Sequence, residues 1–316
     1  TGWETMLTAL VETGFQITAT WPVRSAQKWR QNAMGANALA SYIVLACRPR
    51  EESSRTRGEL EAGKMPALPL ALQTDRRSFV AELKRELPAA LRRLQQGNIA
   101  PVDFAQAAIG PGMAIYSRYS RILEASGQPM SVRTALALIN QTLTEVLSEQ
   151  EDEFDADTRW AIAWYEQHGF GEGEFGVAET LSKAKNTSVE GMVEAGILES
   201  RRGRVRLLKP GELPADWDPE RDARLTVWEM VHHLVRALET GGERAAADLV
   251  HKLGSKADTA RELAYRLYTI CERKNRAAEA LSYNALVQSW PEIVQLAQDS
   301  VMPHTAQAIL FGADEV

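Results

Sequence analysis

Two strand-like stretches close to the N-terminus constrain the architecture more than any other feature. Residues 15–23 alternate, with Phe15, Ile17, Ala19, Trp21 and Val23 on one face and Gln16, Thr18 and Thr20 on the other. Residues 41–47 are apolar on both faces, as in a strand covered from both sides. Ahead of them Trp3, Met6, Leu7, Leu10 and Val11 recur at helical spacing, and Gly14 stands where a helix C-cap glycine belongs. One helix and two strands cannot close a sheet of their own. The sequence therefore predicts an α/β sheet completed by strands outside residues 1–50. Thr1-Gly2-Trp3 carries no initiator Met, basic segment or cleavage site, and it reads as a cut end.

Beyond the strands the expected fold is mainly α. A charged, Gly- and Pro-containing linker is expected over 51–75, followed by a helical domain over 76–154. In that domain Phe79, Leu83, Leu87, Leu91 and Leu94 form an amphipathic stripe that ends at Gly97. A short helix over 101–108 is expected to break at Gly110-Pro111-Gly112, with further helices over 113–123 and 132–147.

Charge reverses sharply past residue 175. Residues 141–175 carry ten acidic side chains against one basic, and residues 176–210 carry four against seven. The second window reads as helix over 178–184, turn at Asn186-Thr187-Ser188 and helix over 189–195 ended by Gly196. Residues 197–200 and 204–208 then alternate across Arg201-Arg202-Gly203, as a hairpin should. Helix, turn, helix and basic hairpin make a winged-helix pattern, expected over 155–212. A C-terminal helical domain over 213–316 contains helices near 225–239, 245–253, 259–274 and 276–290, with Pro291 and Pro303 as breakers.

Bulk properties narrow the function classes. No run approaches the roughly 20 apolar residues of a membrane span. Cys47 and Cys271 are too few for a disulfide framework and, with five His, offer no metal-ligand spacing; a reducing, cytoplasmic setting and no metal are expected. The net charge of −6 argues against a uniformly basic nucleic-acid binder, so any such contact must lie in local segments.

The segments Gly2-Trp3-Glu-Thr-Met-Leu-Thr-Ala-Leu10, Gly14-Phe15-Gln-Ile-Thr-Ala-Thr-Trp21-Pro22 and Asn37-Ala-Leu-Ala-Ser-Tyr-Ile-Val-Leu-Ala-Cys-Arg48 resemble the anti-phage-associated, adenine-specific DNA methyltransferases that carry an N-terminal domain of unknown function. A second similar stretch is Ala107-Ala-Ile-Gly-Pro-Gly-Met113-Ala-Ile-Tyr116-Ser-Arg-Tyr119 with Met130-Ser-Val-Arg-Thr-Ala-Leu136. The resemblance implies that residues 1–50 are the last helix and strands of a Rossmann-like methyltransferase fold. It also implies a parent enzyme methylating adenine N6 in double-stranded DNA, in a restriction-modification type of phage defence. Such enzymes hold S-adenosylmethionine over a Gly-rich loop and stack the flipped base on an Asp/Asn-Pro-Pro-aromatic segment. The chain has no Pro-Pro pair, and Gly110-Pro-Gly112 and Gly171-Glu-Gly173 read as turns among helices. Both motifs are expected outside this chain, which is then not catalytically competent alone.

Two clusters are candidates for nucleic-acid contact. Arg24, Lys28, Trp29 and Arg30 place three cations around one aromatic, suited to phosphate contact plus base stacking, or, in the blander case, to a solvated sheet edge. Lys183 and Lys185 stand near the recognition-helix start, and Arg201, Arg202, Arg204 and Arg206 on the wing, while Glu190 and Glu194 would repel a DNA backbone. The acidic run through Asp155 and Asp157 reads as a helix cap, and His232-His233 as one side chain facing in and one facing out. The alternative reading is a helical interaction module that docks the remainder of the methyltransferase onto a partner such as an ATPase or helicase.

Overall fold

The computed structural model describes residues 2–24, 41–49 and 73–299. Over these the chain is mainly helical with small sheets, and it divides into two compact units, Thr1–Gln150 and Glu151–Val316. The expected modules 155–212 and 213–316 both fall within the second. No helix among the described residues is long and apolar enough to cross a membrane.

In the first unit α1 (Gly2–Glu12) leads through Gly14, at φ 85°, into β1 (Phe15–Arg24), which pairs antiparallel with β2 (Ser41–Pro49). The two strands are neighbours, as expected, but the alternation along β1 breaks. Ile17 pairs with Cys47 and Ala19 with Ala46, so Thr18 is the extra residue of a bulge. One added residue swaps the faces of everything after it. Ile17 is fully buried, whereas Trp21 is 54% and Val23 48% exposed. Their cross-strand partners Val44 and Tyr42 are 48% and 59% exposed, so β2 is not covered on both faces by the described residues.

The helical part of this unit starts at β3 (Thr74–Asp75), which pairs in parallel with β4 (Ile122–Leu123). Asp75 caps α2 (Arg76–Gln96) by accepting the Ser78 N–H at 2.8 Å, and the stripe Phe79, Leu83, Leu87, Leu91 is fully buried. The expected break at Gly110-Pro111-Gly112 does not occur: α3 (Pro101–Tyr116) runs straight through it. Those glycines serve close packing. A Cβ at Gly110 would stand 2.0 Å from Thr20 Cγ2 of β1, and one at Gly112 2.5 Å from Ile139 Cγ1 of α4 (Val132–Glu149). Residues 117–123, expected to continue a helix, instead turn and enter β4, because the Ser117 hydroxyl is drawn to β1, accepting the Ile17 N–H at 2.9 Å.

The second unit runs α5 (Ala156–His168), β5 (Gly173–Glu174), α6 (Phe175–Lys185), α7 (Val189–Glu194), β6 (Leu198–Arg201), β7 (Arg204–Leu207), then α8 (Val227–Leu253), α9 (Lys256–Arg273) and α10 (Ala277–Asp299). The three strands form one antiparallel sheet in the order β5-β7-β6. The helices expected near 225–239 and 245–253 are the two limbs of α8, bent at Gly242 (φ 68°, ψ −166°). Pro291 does not end α10, which continues to Asp299, with Trp290 and Ile293 on either side buried. Trp160, Trp164, Trp228, Trp290, Tyr165, Tyr265 and Tyr283 are fully buried and dominate this core.

Candidate nucleic-acid interface

The first layer of the site is the frame beneath the small sheet. Asp155 is the N-cap of α5, accepting the Thr158 N–H at 2.8 Å, and its second oxygen accepts the Val227 N–H at 3.0 Å. The Thr158 hydroxyl donates to the same carboxylate at 2.7 Å and accepts the Trp228 N–H at 3.0 Å. Asp155 and Thr158 thus satisfy orphan donors at the starts of both α5 and α8. In the Thr226–Glu229 capping box the Thr226 hydroxyl accepts the Glu229 N–H and the Glu229 carboxylate accepts the Thr226 N–H, satisfying two more donors. Nearby, Asp157 takes two hydrogen bonds from Arg224, at 2.6 and 3.0 Å, and one from the Thr187 hydroxyl. Arg224 therefore ties α5 to the α6–α7 turn, and that pairing holds its guanidinium pKa above the ordinary value.

On this frame stands the β6–β7 hairpin. Arg202 (φ 51°) and Gly203 (φ 73°) both lie in the left-handed region, as a two-residue type I′ turn requires. The Gly203 carbonyl accepts the Phe175 N–H at 3.0 Å, and β5 pairs with β7 at Gly173↔Val205 and Glu174↔Arg204. The tip is therefore fixed to the start of α6. Gly173 lets β5 pass close to the core, since a Cβ there would stand 2.5 Å from Trp164 Cζ2.

Arg201, Arg202 and Arg204 are exposed, and their side chains hold no ion-pair or hydrogen-bond partner among the described residues. Arg206, grouped with them from sequence, is placed differently. It bridges Glu199 and Glu212, both at 2.6 Å, and its single charge is shared between those two acids. The Glu212 hydrogen bond is the main cause of its raised pKa. Lys183 is exposed and paired with Glu179 at 3.2 Å, and Lys185 is half-buried in the last turn of α6. The outer side of α7 presents Glu190, Val193 and Glu194. Arg24 ends β1 in backbone terms, and Lys28, Trp29 and Arg30 lie outside the described residues.

Buried ionisable groups behind the frame form a polar core. Both His232 and His233 are buried, correcting the expectation that one faces out, because α8 is covered on two sides. His232 Nδ1 lies 2.7 Å from the Trp228 carbonyl and Nε2 2.9 Å from the Tyr283 hydroxyl. His233 stacks on Trp217 with ring centroids 4.0 Å apart. Burial pushes both imidazoles down to about 4, and burial lifts the Glu229 carboxyl to about 7. The Cys271 thiol lies 3.1 Å from the Tyr165 hydroxyl, and burial raises it to about 11, too high for a nucleophilic thiolate at neutral pH.

Residues 155–310 match a domain of unknown function (DUF8807). The matched stretch begins at the N-cap of α5 and takes in the hairpin and all three long helices, so the frame and the tip lie inside it. None of the curated proteins and none of the solved structures matches the chain. Gly110 and Gly112 lie within α3, whereas Gly171-Glu-Gly173 leads through β5 directly into α6, with Gly173 set close against the Trp164 ring.

Sequence reasoning missed β5, the double cap by Asp155 and the neutralising role of Arg206. The first is two residues long, and the other two depend on partners brought together only by the fold.

Proposed function

We propose that the chain supplies DNA binding and target positioning to an N6-adenine-specific DNA methyltransferase of phage defence, acting in the cytoplasm. In this reading residues 155–212 form a winged-helix unit, and α1, β1 and β2 close the sheet of a Rossmann-like catalytic fold. S-adenosylmethionine and the adenine pocket belong to residues outside the chain. The observation that carries the reading is the cluster of unpaired Arg201, Arg202 and Arg204 at a fixed hairpin tip. The order helix, strand, helix, helix, strand, strand with the sheet β5-β7-β6 supports the winged-helix assignment.

Arg202 adds an independent argument. A type I′ turn favours Asn, Asp or Gly at that position, and an Arg held at positive φ costs roughly 1 kcal/mol. A strained position occupied by a long cation is better explained by what the cation contacts than by the turn.

The test is fluorescence anisotropy on a duplex of about 20 base pairs across a salt series. Each phosphate neutralised contributes about 0.9 to the slope of log affinity against log salt, so the triple variant R201E/R202E/R204E should lower the slope by up to about 3. Its affinity should fall by roughly 100-fold at low salt while circular dichroism stays unchanged. Equal binding by the parent and this variant would rule the reading out.

A second reading, a docking module for the remainder of the methyltransferase or for an ATPase or helicase partner, is favoured by the exposed Trp21, Val23, Tyr42 and Val44 and by the acidic α7. It predicts no salt-dependent DNA binding.

A further inference from the structure

We infer that the hairpin tip, and not α7, enters the duplex, and that it does so through the minor groove, responding to groove width and not to base edges. This rests on the DNA-binding reading above and specifies how the contact is made. Three observations point the same way.

The helix in the recognition position is unsuited to a major groove. α7 has six residues and presents Glu190 and Glu194 outward, two carboxylates that would face phosphates on both sides of a groove. The Gly191 N–H near its start is taken by the Ser188 hydroxyl at 3.1 Å, so it is not offered to a phosphate. None of its exposed side chains is an Arg, Asn, Gln or Lys that could read a base edge.

The tip, by contrast, fits a narrow groove. A two-residue turn is the thinnest connection two strands can have, and the minor groove is about 6 Å wide against about 12 Å for the major. Arg is favoured there because the narrow groove concentrates negative potential and a guanidinium is less strongly hydrated than an ammonium.

The charge around the tip is also arranged for this. Arg206 holds Glu199 and Glu212 at the base of the hairpin, so Arg201, Arg202 and Arg204 at its end carry no ion pair, although Glu172 and Glu174 lie beside them at the β5 edge of the sheet. The Phe175–Gly203 hydrogen bond fixes the turn in advance, so little ordering entropy opposes insertion.

The experiment uses the full chain and three labelled duplexes: an A-tract, a G·C-rich sequence, and a duplex whose major groove is filled by glucosylated hydroxymethylcytosines. Minor-groove entry predicts tighter binding to the A-tract by about tenfold and competition by netropsin, which fills the minor groove. Glucosylation should change the affinity less than twofold. Replacing Arg201, Arg202 and Arg204 together by Lys should keep the salt dependence but flatten the A-tract preference. The variant E190Q/E194Q should bind every duplex somewhat more tightly, without a new preference. If glucosylation abolishes binding, or netropsin leaves it untouched, the minor-groove inference is overturned and the DNA reading survives. Absence of binding to all three duplexes overturns both.

Discussion

Two antiparallel strand pairs, β1–β2 by itself and β6–β7 within its three-stranded sheet, present surfaces that differ in kind. In the first unit the β1–β2 ribbon presents a cross-strand quartet, Trp21, Val23, Tyr42 and Val44, each about half exposed. In the second, the β6–β7 ribbon presents three arginines at its tip. Anchoring is similar in both. Thr20 of β1 sits against the bare backbone of Gly110, and β5, which holds β7, passes the edge of the Trp164 ring at Gly173. The same device, a glycine where another element must come close, supports an apolar surface in one unit and a cationic one in the other. Backbone architecture therefore does not decide what each ribbon meets; the side chains on the free surface do, apolar ones suiting a protein surface and cationic ones a phosphate backbone.

The largest effect is expected from breaking these anchors. Gly110→Ala places a methyl 2.0 Å from Thr20 Cγ2 and 2.4 Å from its Cβ, so no χ1 rotation relieves the clash, and the first unit should lose about 3 kcal/mol. Gly173→Ala meets the edge of the Trp164 ring at 2.5 Å; the ring can tilt, and the cost should be about 2 kcal/mol, confined to the second unit. Hydrogen exchange read separately in the two units checks both. A loss shared equally between units would show that the ribbons are not independently anchored.

Acid should separate the units next. His232 and His233, held near 4 against an ordinary value of 6.5, contribute stability that is complete above pH 6.5 and lost as pH falls towards 4. Glu229, raised from 4.5 to about 7, acts in the opposite sense: its contribution is complete below pH 4.5 and lost as pH rises through 7. Two imidazoles outweigh one carboxyl, so the second unit should lose roughly 3 kcal/mol net between pH 7 and 4. In Glu229→Gln, which keeps the capping box, stability at pH 8 should rise and the fall towards pH 4 should steepen. Denaturant melts of this variant at pH 8, 6 and 4 test the sign, and a flat profile in the second unit would refute it.

What the sequence reveals follows from where the deciding contacts lie. The stripe Phe79, Leu83, Leu87, Leu91 is legible because helix period and burial coincide, and the Arg201–Arg204 hairpin because Gly203 marks its turn. The bulge at Thr18 leaves no mark, since an inserted residue in an alternating strand changes no composition. Gly110-Pro111-Gly112 misleads because the residues that favour turns are also those that allow close approach. At the candidate site the four wing arginines look alike in sequence; Arg206 is set apart by Glu199, its partner across the hairpin, and by Glu212, which a short 3-10 turn at Pro210–Glu212 brings to it. The second cap made by Asp155 joins residues 72 positions apart, beyond any local pattern.

The smallest expected effect is the most diagnostic of the comparison. If Arg202 is kept at φ 51° for contact and not for the turn, Arg202→Asn should stabilise the second unit by roughly 0.5–1 kcal/mol, because Asn tolerates the left-handed region. The same substitution should weaken DNA binding by several-fold, as one of three unpaired cations is removed. Stability and binding then move in opposite directions from a single side chain, measured by thermal melting and by anisotropy. A variant that gains stability with unchanged binding would make the cationic tip a matter of solubility, and the two ribbons would differ in surface without differing in purpose.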